Sequence, residues 1–245
     1  MSTIRIMTYN VQGCRGGDGQ VDPERITNVI AEGAPDIVAL QEVEESRDAS
    51  HLQYLAEHLG MCSYSQHASC GTAFLSYFPL RGLHQYHLGD GHGCCLRADA
   101  DIGGRRIHLL NLRLDAHPLR RRTQIAGLLG PDLMGNRSLV CPTILLGDFG
   151  DLWWGIGNIG LNLGLRKASR PWWRGTFPAR FPVAGRDRAY LRGELRVVDS
   201  RILHNRQARH ASGHLPLILT VQITDPRTFL HLKKMPRNRM EIAPG

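Results

Sequence analysis

A single α/β domain is the fold class the sequence predicts, on three observations. Short apolar runs of strand character intermix with helical segments along the chain. No linker, repeat or shift of composition cuts it in two, and the strand candidates end in polar residues. With 245 residues, 42% hydrophobic and 21% charged, the chain can bury a sizeable core and has the balance of an ordinary globular protein.

Strands are expected at residues 4–9, 37–41, 73–76, 107–112, 143–146, 189–191 and 215–223, where apolar and β-branched residues run between turn formers. Asp22 before Pro23 caps a helix expected over 23–32. A second helix is read over 50–59, a third over 119–129 after Pro118, and a fourth just after Asp151. The start, MSTIRIMTYNV, has no charged-then-apolar leader and reads directly as a strand; no window approaches the roughly 18 apolar residues of a membrane span. A cytoplasmic protein without a membrane span is the expectation.

The six cysteines form no C-x-x-C pair, and free, mostly buried thiols are expected in a reducing compartment. His84, His87, His92, Cys94 and Cys95 lie close enough in sequence for a zinc site, but their spacing matches no common structural pattern and a Gly-rich turn between two strands accounts for the segment as well. The net charge of +8 is carried largely by arginine. It is read either as a polyanion-binding surface or as a solvated basic face, and the run LRRR at 119–122 as an exposed helical face. Trp153, Trp154, Trp172 and Trp173 offer either a stacking platform for bases or ordinary core and loop rings. Residues 225–245 read as a basic tail after a domain of residues 1–224.

Five polar residues fall at strand ends: Asn10 after IRIMTY, Glu42 after DIVALQ, Asp148 in ILLGDFGD, Asp187 before RAYL, and His214 in ASGHLPLIL. Singly these are turn formers, caps, surface acids or a core histidine. Together a hard-cation site with a histidine beside it is their simplest common cause.

In order, YNVQG, PDIVALQEVE, GTAFLSYFPL, LLNLRL, LLGDFGD, GRDRAYLRG and ASGHLPLIL resemble the blocks of the endonuclease/exonuclease/phosphatase superfamily, over about residues 4–223. That resemblance implies a four-layered α/β sandwich, two central sheets face to face with helices outside and the active site at the strand ends. It implies Glu42 as the ligand of Mg²⁺ or Mn²⁺ with Asn10 alongside. Asp148 would orient or deprotonate the attacking water, Asp187 would support the metal or leaving group, and His214 would contact the scissile phosphate.

Three positions depart from the family pattern: Arg113 where a strand would end in T-H-L, Gly150 where GDF would be followed by Asn, and Gly213 where S-D-H would place an acid. Loss of a phosphate donor at 150 costs about 10²- to 10³-fold in rate. Loss of the acid before His214, read as the group that fixes the imidazole tautomer, costs about 10⁴-fold. Arg113 can hold a phosphate bidentately but cannot exchange a proton. The expected function is a metal-dependent phosphoester hydrolase, of phosphodiesterase, phosphatase or nuclease type, impaired at these positions. Its substrate would be a nucleic acid, a phospholipid head group or a small phosphate ester. The alternatives are a pseudoenzyme that binds a phosphate-bearing ligand or partner, and a nucleic-acid-binding module without chemistry.

Overall fold

Alternation along the strands sets the layers. In the computed structural model, which describes residues 2–43, 50–66, 70–89, 91–136, 139–151, 160–161, 164–168 and 175–224, successive side chains of β7 (Arg106–Arg113) and β8 (Thr143–Asp148) belong to different cores. Ile107, Leu109, Ile144 and Leu146 join one apolar cluster; Leu110, Leu112 and Leu145 join another with Ile125 and Leu128 of α3 (Pro118–Leu129). The first cluster holds the seam between the two sheets together with the helix-covered face of the first sheet, and the second lies between the other sheet and the helix outside it.

Among the described residues, twelve strands form two six-stranded sheets. The first runs β11 (Leu195–Ile202), β12 (Leu217–Ile223), β1 (Ser2–Asn10), β2 (Ile37–Gln41), β4 (Ala73–Ser76), β3 (Cys62–Tyr64). The second runs β5 (Leu80–His87), β6 (Cys94–Asp101), β7, β8, β10 (Asp187–Arg192), β9 (Arg166–Lys167). Both are mixed: β1 is parallel to β2 and β7 to β8, with antiparallel pairs elsewhere. Helices α1 (Pro23–Gly33), α2 (His51–Leu59) and α4 (Arg206–Ala211) bury apolar faces in the first cluster. This is the sandwich expected from the resemblance.

Local signals account for the helices. The Asp22 carboxylate accepts from the N–H groups of Glu24 and Arg25, and Ser50 accepts from Gln53, so α1 and α2 start where their caps stand. The expected helix after Asp151, the four tryptophans and the basic tail lie outside the described residues. Over 119–122 the expectation of an exposed face fails at one residue: Arg121 is buried and paired with Asp151 at 3.6 Å.

Polar groups fix the two sheets against each other beneath the strand ends. The Gln41 amide donates to Asn111 Oδ1 at 2.7 Å, and the Asn111 amide donates across the seam to the carbonyls of Leu40 and Ala73. A buried amide pair with its partners satisfied allows one sliding register, so these bonds determine which strand ends meet.

Candidate active site

Parallel pairing carries the ends of β1 and β2 to one edge and those of β7 and β8 to the same edge of the other sheet, with Asn10 opposite Gln41 and Arg113 opposite Asp148. Antiparallel β10 enters the edge at Asp187, the ladder partner of Asp148, and β12 is preceded there by His214. The five strand-end residues and Arg113 thus meet in one cluster, although they span the chain from 10 to 214.

Asp148 is its centre and is buried. Its Oδ1 accepts from Gly150 N–H at 2.8 Å and Arg186 Nε at 3.2 Å; its Oδ2 accepts from Asn10 Nδ2 at 3.0 Å and a terminal Arg186 nitrogen at 2.8 Å. Four donors fill the roughly four lone-pair directions of a carboxylate. Burial raises its pKa, but nearby His214, Arg186 and the Gly150 N–H outweigh that and hold Asp148 below the ordinary carboxyl range. It is ionised at neutral pH and fully engaged.

His214 stands beside it, also buried. Its Nδ1 lies 2.9 Å from Asp187 Oδ2 and its Nε2 4.0 Å from Asp148 Oδ2. Burial disfavours the charged ring, but the Asp187 and Asp148 carboxylates prevail over it and over Arg186, and the pKa is raised. Nε2 and Asp187 Oδ1 are buried without a hydrogen-bond partner, a condition that costs energy until a polar group arrives. Phe177 packs on the imidazole with ring centroids 4.7 Å apart, and the Arg186 guanidinium lies 4.8 Å from the Phe177 ring centre.

Two residues have partners that the sequence did not anticipate. Asp187 is the acid that orients His214, so Gly213 does not leave the imidazole without one. Gly213 instead donates its N–H to Gln12 Oε1 at 3.0 Å, and a Cβ there would collide with that same oxygen. Asn10 presents its amide N–H₂ to the site, donating to Glu42 Oε1 and Asp148 Oδ2, while its oxygen accepts from Gln12 N–H. An amide nitrogen is no ligand for a hard cation; Asn10 holds two carboxylates together.

Glu42 lies just after β2 with φ of 55°, a left-handed conformation uncommon for a side-chain-bearing residue and typical of functional strand ends. A terminal nitrogen of Arg113 lies 3.3 Å from its Oε1. Arg113, expected as a phosphate clamp, is thus paired with the expected metal ligand. As arranged, the donor set does not fit a divalent ion, because the one partly exposed carboxylate is held by a guanidinium and Asp148 has its oxygens filled.

Gly150 has φ of 62°, and a Cβ would lie 2.5 Å from the Asp115 carbonyl oxygen. The departure from GDF-Asn is therefore built into the backbone. Sequence reading missed Arg186, although it adjoins Asp187 in GRDR; an arginine next to a strand-end acid in a cluster of acids was the available signal. Gln12 and Phe177 carried none, since their roles arise from loop packing.

Residues 7–224 match the sequence profile of the Endonuclease/Exonuclease/phosphatase family. Among solved structures the chain is similar to an endonuclease/exonuclease/phosphatase from Beutenbergia cavernae (19% identity, TM-score 0.70, covering 91% of this chain and 72% of that one). It is also similar to the human nocturnin catalytic domain with a bound sulfate anion (21%, 0.69, covering 91% and 95%) and to a mannosyl-6-phosphatase from Bacteroides thetaiotaomicron (17%, 0.74, covering 89% and 99%). No curated protein matches the sequence.

Proposed function

Because the chain belongs to the Endonuclease/Exonuclease/phosphatase family, we propose that it is a phosphoester-recognising hydrolase of low intrinsic rate, whose phosphate is held by Arg113 and Arg186. The observation that carries this reading is the oriented His214, whose pKa the neighbouring carboxylates raise: its Nδ1 is fixed 2.9 Å from Asp187, and its Nε2 is buried without a partner beside Asp148. An imidazolium N–H in that position donates to a phosphoryl oxygen and stabilises the charge that develops on it. A phosphoester dianion or diester competes with Asp148 for Arg186 and with Glu42 for Arg113, since guanidinium groups bind phosphate bidentately. When Arg186 turns to the ester, Asp148 regains lone pairs with which to orient a water.

The low rate follows from the same contacts. Each turnover requires opening an ion pair, Asp148 is a weak base with its pKa lowered, and no side-chain amide at 150 holds the phosphate. In the family a divalent ion, Mg²⁺ or Mn²⁺, supplies charge to the phosphate; in this chain the guanidinium groups meet that charge. A mannosyl-6-phosphatase and a nocturnin domain with a bound sulfate anion share this fold, which supports a phosphate-bearing ligand without fixing which one. A binding protein without turnover is the second reading, favoured by the complete engagement of Asp148.

The test uses bis(p-nitrophenyl) phosphate and p-nitrophenyl phosphate, with Mg²⁺, with Mn²⁺ and with a chelator, beside calorimetric titration of inorganic phosphate. Slow hydrolysis lost in Asp148→Asn and His214→Gln, with phosphate affinity reduced about tenfold or more by Arg186→Ala, is expected. Phosphate binding that is indifferent to Arg113→Ala and Arg186→Ala alike overturns the assignment. Binding without any turnover selects the second reading.

A further inference from the structure

A second cluster ties together the two strand ends that carry Glu42 and Arg113. Cys70, just before β4 of the first sheet, is disulfide-bonded to Cys94 at the start of β6 in the second. This corrects the expectation of free thiols for two of the six; Cys14, Cys62, Cys95 and Cys141 are in no disulfide. Both bonded cysteines are buried, but His87 at the end of β5 is exposed and sets its Nδ1 3.6 Å from Cys70 Sγ and 3.9 Å from Cys94 Sγ. Of the zinc candidates considered from sequence, His87 and Cys94 thus meet each other and Cys70, across 24 residues.

The connections on either side of the bond lead to the candidate site. Residue 71 follows Cys70, and its carbonyl accepts from Val43 N–H at 2.9 Å. Val43 follows Glu42. On the other side, Cys94 is the ladder partner of Arg113, whose guanidinium returns to Glu42 at 3.3 Å. The sulfur bridge therefore closes a ring through Glu42, Val43, residue 71, Cys70, Cys94 and Arg113.

We propose that Cys70 and Cys94 form a reversible thiol–disulfide centre, with His87 as its proton carrier, whose oxidised form fixes the Glu42 loop against the strand bearing Arg113. A purely structural staple gives no reason for an exposed imidazole at both sulfurs, and a chain with a core of this size does not depend on one disulfide to fold. The oxidant is a small disulfide of the glutathione class. In the reduced protein, His87 Nδ1 takes the Cys70 proton, and the thiolate attacks one sulfur of the small disulfide, breaking its S–S bond. The departing thiolate leaves with the proton carried by His87. Cys94 gives up its proton by the same route, its thiolate attacks Cys70 Sγ in the mixed disulfide, and the second small thiol leaves with that proton. Two protein thiols are oxidised and one small disulfide is reduced to two thiols.

The full chain is equilibrated with dithiothreitol or with oxidised glutathione, alkylated and mapped by peptide mass, while the Val43 amide is followed by hydrogen exchange. The oxidised protein is expected to protect Cys70 and Cys94 and leave the other four cysteines of the sequence open to alkylation once unfolded. Val43 is expected to exchange about tenfold or more faster when the bond is reduced, and His87→Gln to reach the same end state with slower re-oxidation and a shifted pH profile. Cys94→Ser should show the fast Val43 exchange under both conditions; if it does not fold, the reduced and oxidised wild-type protein alone decides. Alkylation of all six cysteines after oxidation, or equal Val43 exchange in the two states, overturns the proposal. So does one equivalent of zinc retained by the reduced protein through dialysis, which makes the trio a metal site instead.

Discussion

Arg186 grips Asp148 through both carboxylate oxygens, at 3.2 Å from Nε and 2.8 Å from a terminal nitrogen, and it does so over the face of Phe177. The pair couples a buried acid to a largely buried cation, so each holds the other's charge: Asp148 is kept ionised, and Arg186 is held above the ordinary guanidinium range despite its burial. On the proposed function, the same contact that stabilises the fold at this edge withholds the acid from a water. Stability and turnover are therefore opposed at one bond.

Removing the guanidinium should show the stabilising half. Arg186→Ala leaves a buried carboxylate with two donors gone, and breaking a buried pair of this kind costs about 3–5 kcal/mol. Asp148→Asn in the same background should recover part of that loss, since no buried charge is then left. Urea unfolding of the two single variants and the double variant measures the coupling; additive costs would mean that the pair contributes nothing to stability.

The His214–Asp187 pair predicts a limb of instability at alkaline pH. The folded state raises the pKa of His214 above the ordinary 6.5, so its contribution is complete below that value and is lost as pH rises through the folded one. Asp148 behaves oppositely: its pKa is lowered from 3.8, and its contribution is present above that value and lost as pH falls through the folded one. The melting temperature should be highest between these limits, at about pH 5–6. It should decline through neutral and alkaline pH in the native protein, and His214→Gln should flatten that decline while Asp148→Asn flattens the acid limb. An unchanged alkaline limb in His214→Gln would assign it to another group.

Much of this was legible in the sequence, because strand ends and caps are local signals. GDF marked the end of β8, and Asp22-Pro23 and Ser50 marked α1 and α2. The residues alone gave one α/β domain, and the two-sheet sandwich came from the resemblance of the ordered blocks to the family. What stayed hidden was contact between remote side chains. The strands β5, β6 and β11 lacked a clean apolar run, since Arg, His and Asp interrupt their apolar residues. Nothing in the spacing of Cys70 and Cys94 shows that their strands lie in different sheets, and the orientation of the Asn10 amide depends on the Gln12 backbone N–H it accepts.

Competition at Glu42 gives a signed prediction for metal. If Arg113 holds the carboxylate that a divalent ion needs, Arg113→Ala should bind Mn²⁺ more tightly than the native protein, by about tenfold or more, on the interaction of two charges near a protein surface. Adding Glu42→Gln should abolish the gain. Calorimetric titration of Mn²⁺ into the three proteins reads this directly; equal affinity in the native protein and Arg113→Ala would show that the guanidinium and the ion do not share Glu42.

The three departures from the family pattern are not equivalent, and their reversal should separate them. At 150 the backbone has φ of 62°, and a Cβ would lie 2.5 Å from the Asp115 carbonyl oxygen, 2.8 Å from the Asp115 carbonyl carbon and 2.8 Å from the Leu114 oxygen. These are main-chain atoms, fixed by the Leu114 N–H bond to the Asp148 carbonyl and by Arg121, which donates to the Gly150 carbonyl at 3.0 Å. Asparagine tolerates positive φ better than most residues, but it still needs that space. Gly150→Asn should therefore destabilise the fold by about 2–4 kcal/mol without restoring a phosphate donor. Gly213→Asp meets only the end of the Gln12 side chain, which can turn away, so it should fold. It should also raise hydrolysis little, because Asp187 already orients His214. Arg113→His alters Glu42 and the charge that meets phosphate, and it is the single reversion expected to change the response to Mn²⁺. Melting curves beside bis(p-nitrophenyl) phosphate rates for the three single variants test the ranking. A stable Gly150→Asn protein with a rate raised about a hundredfold or more, the worth of one such donor, would show that the loop at 150 yields and that the missing amide limits the site after all.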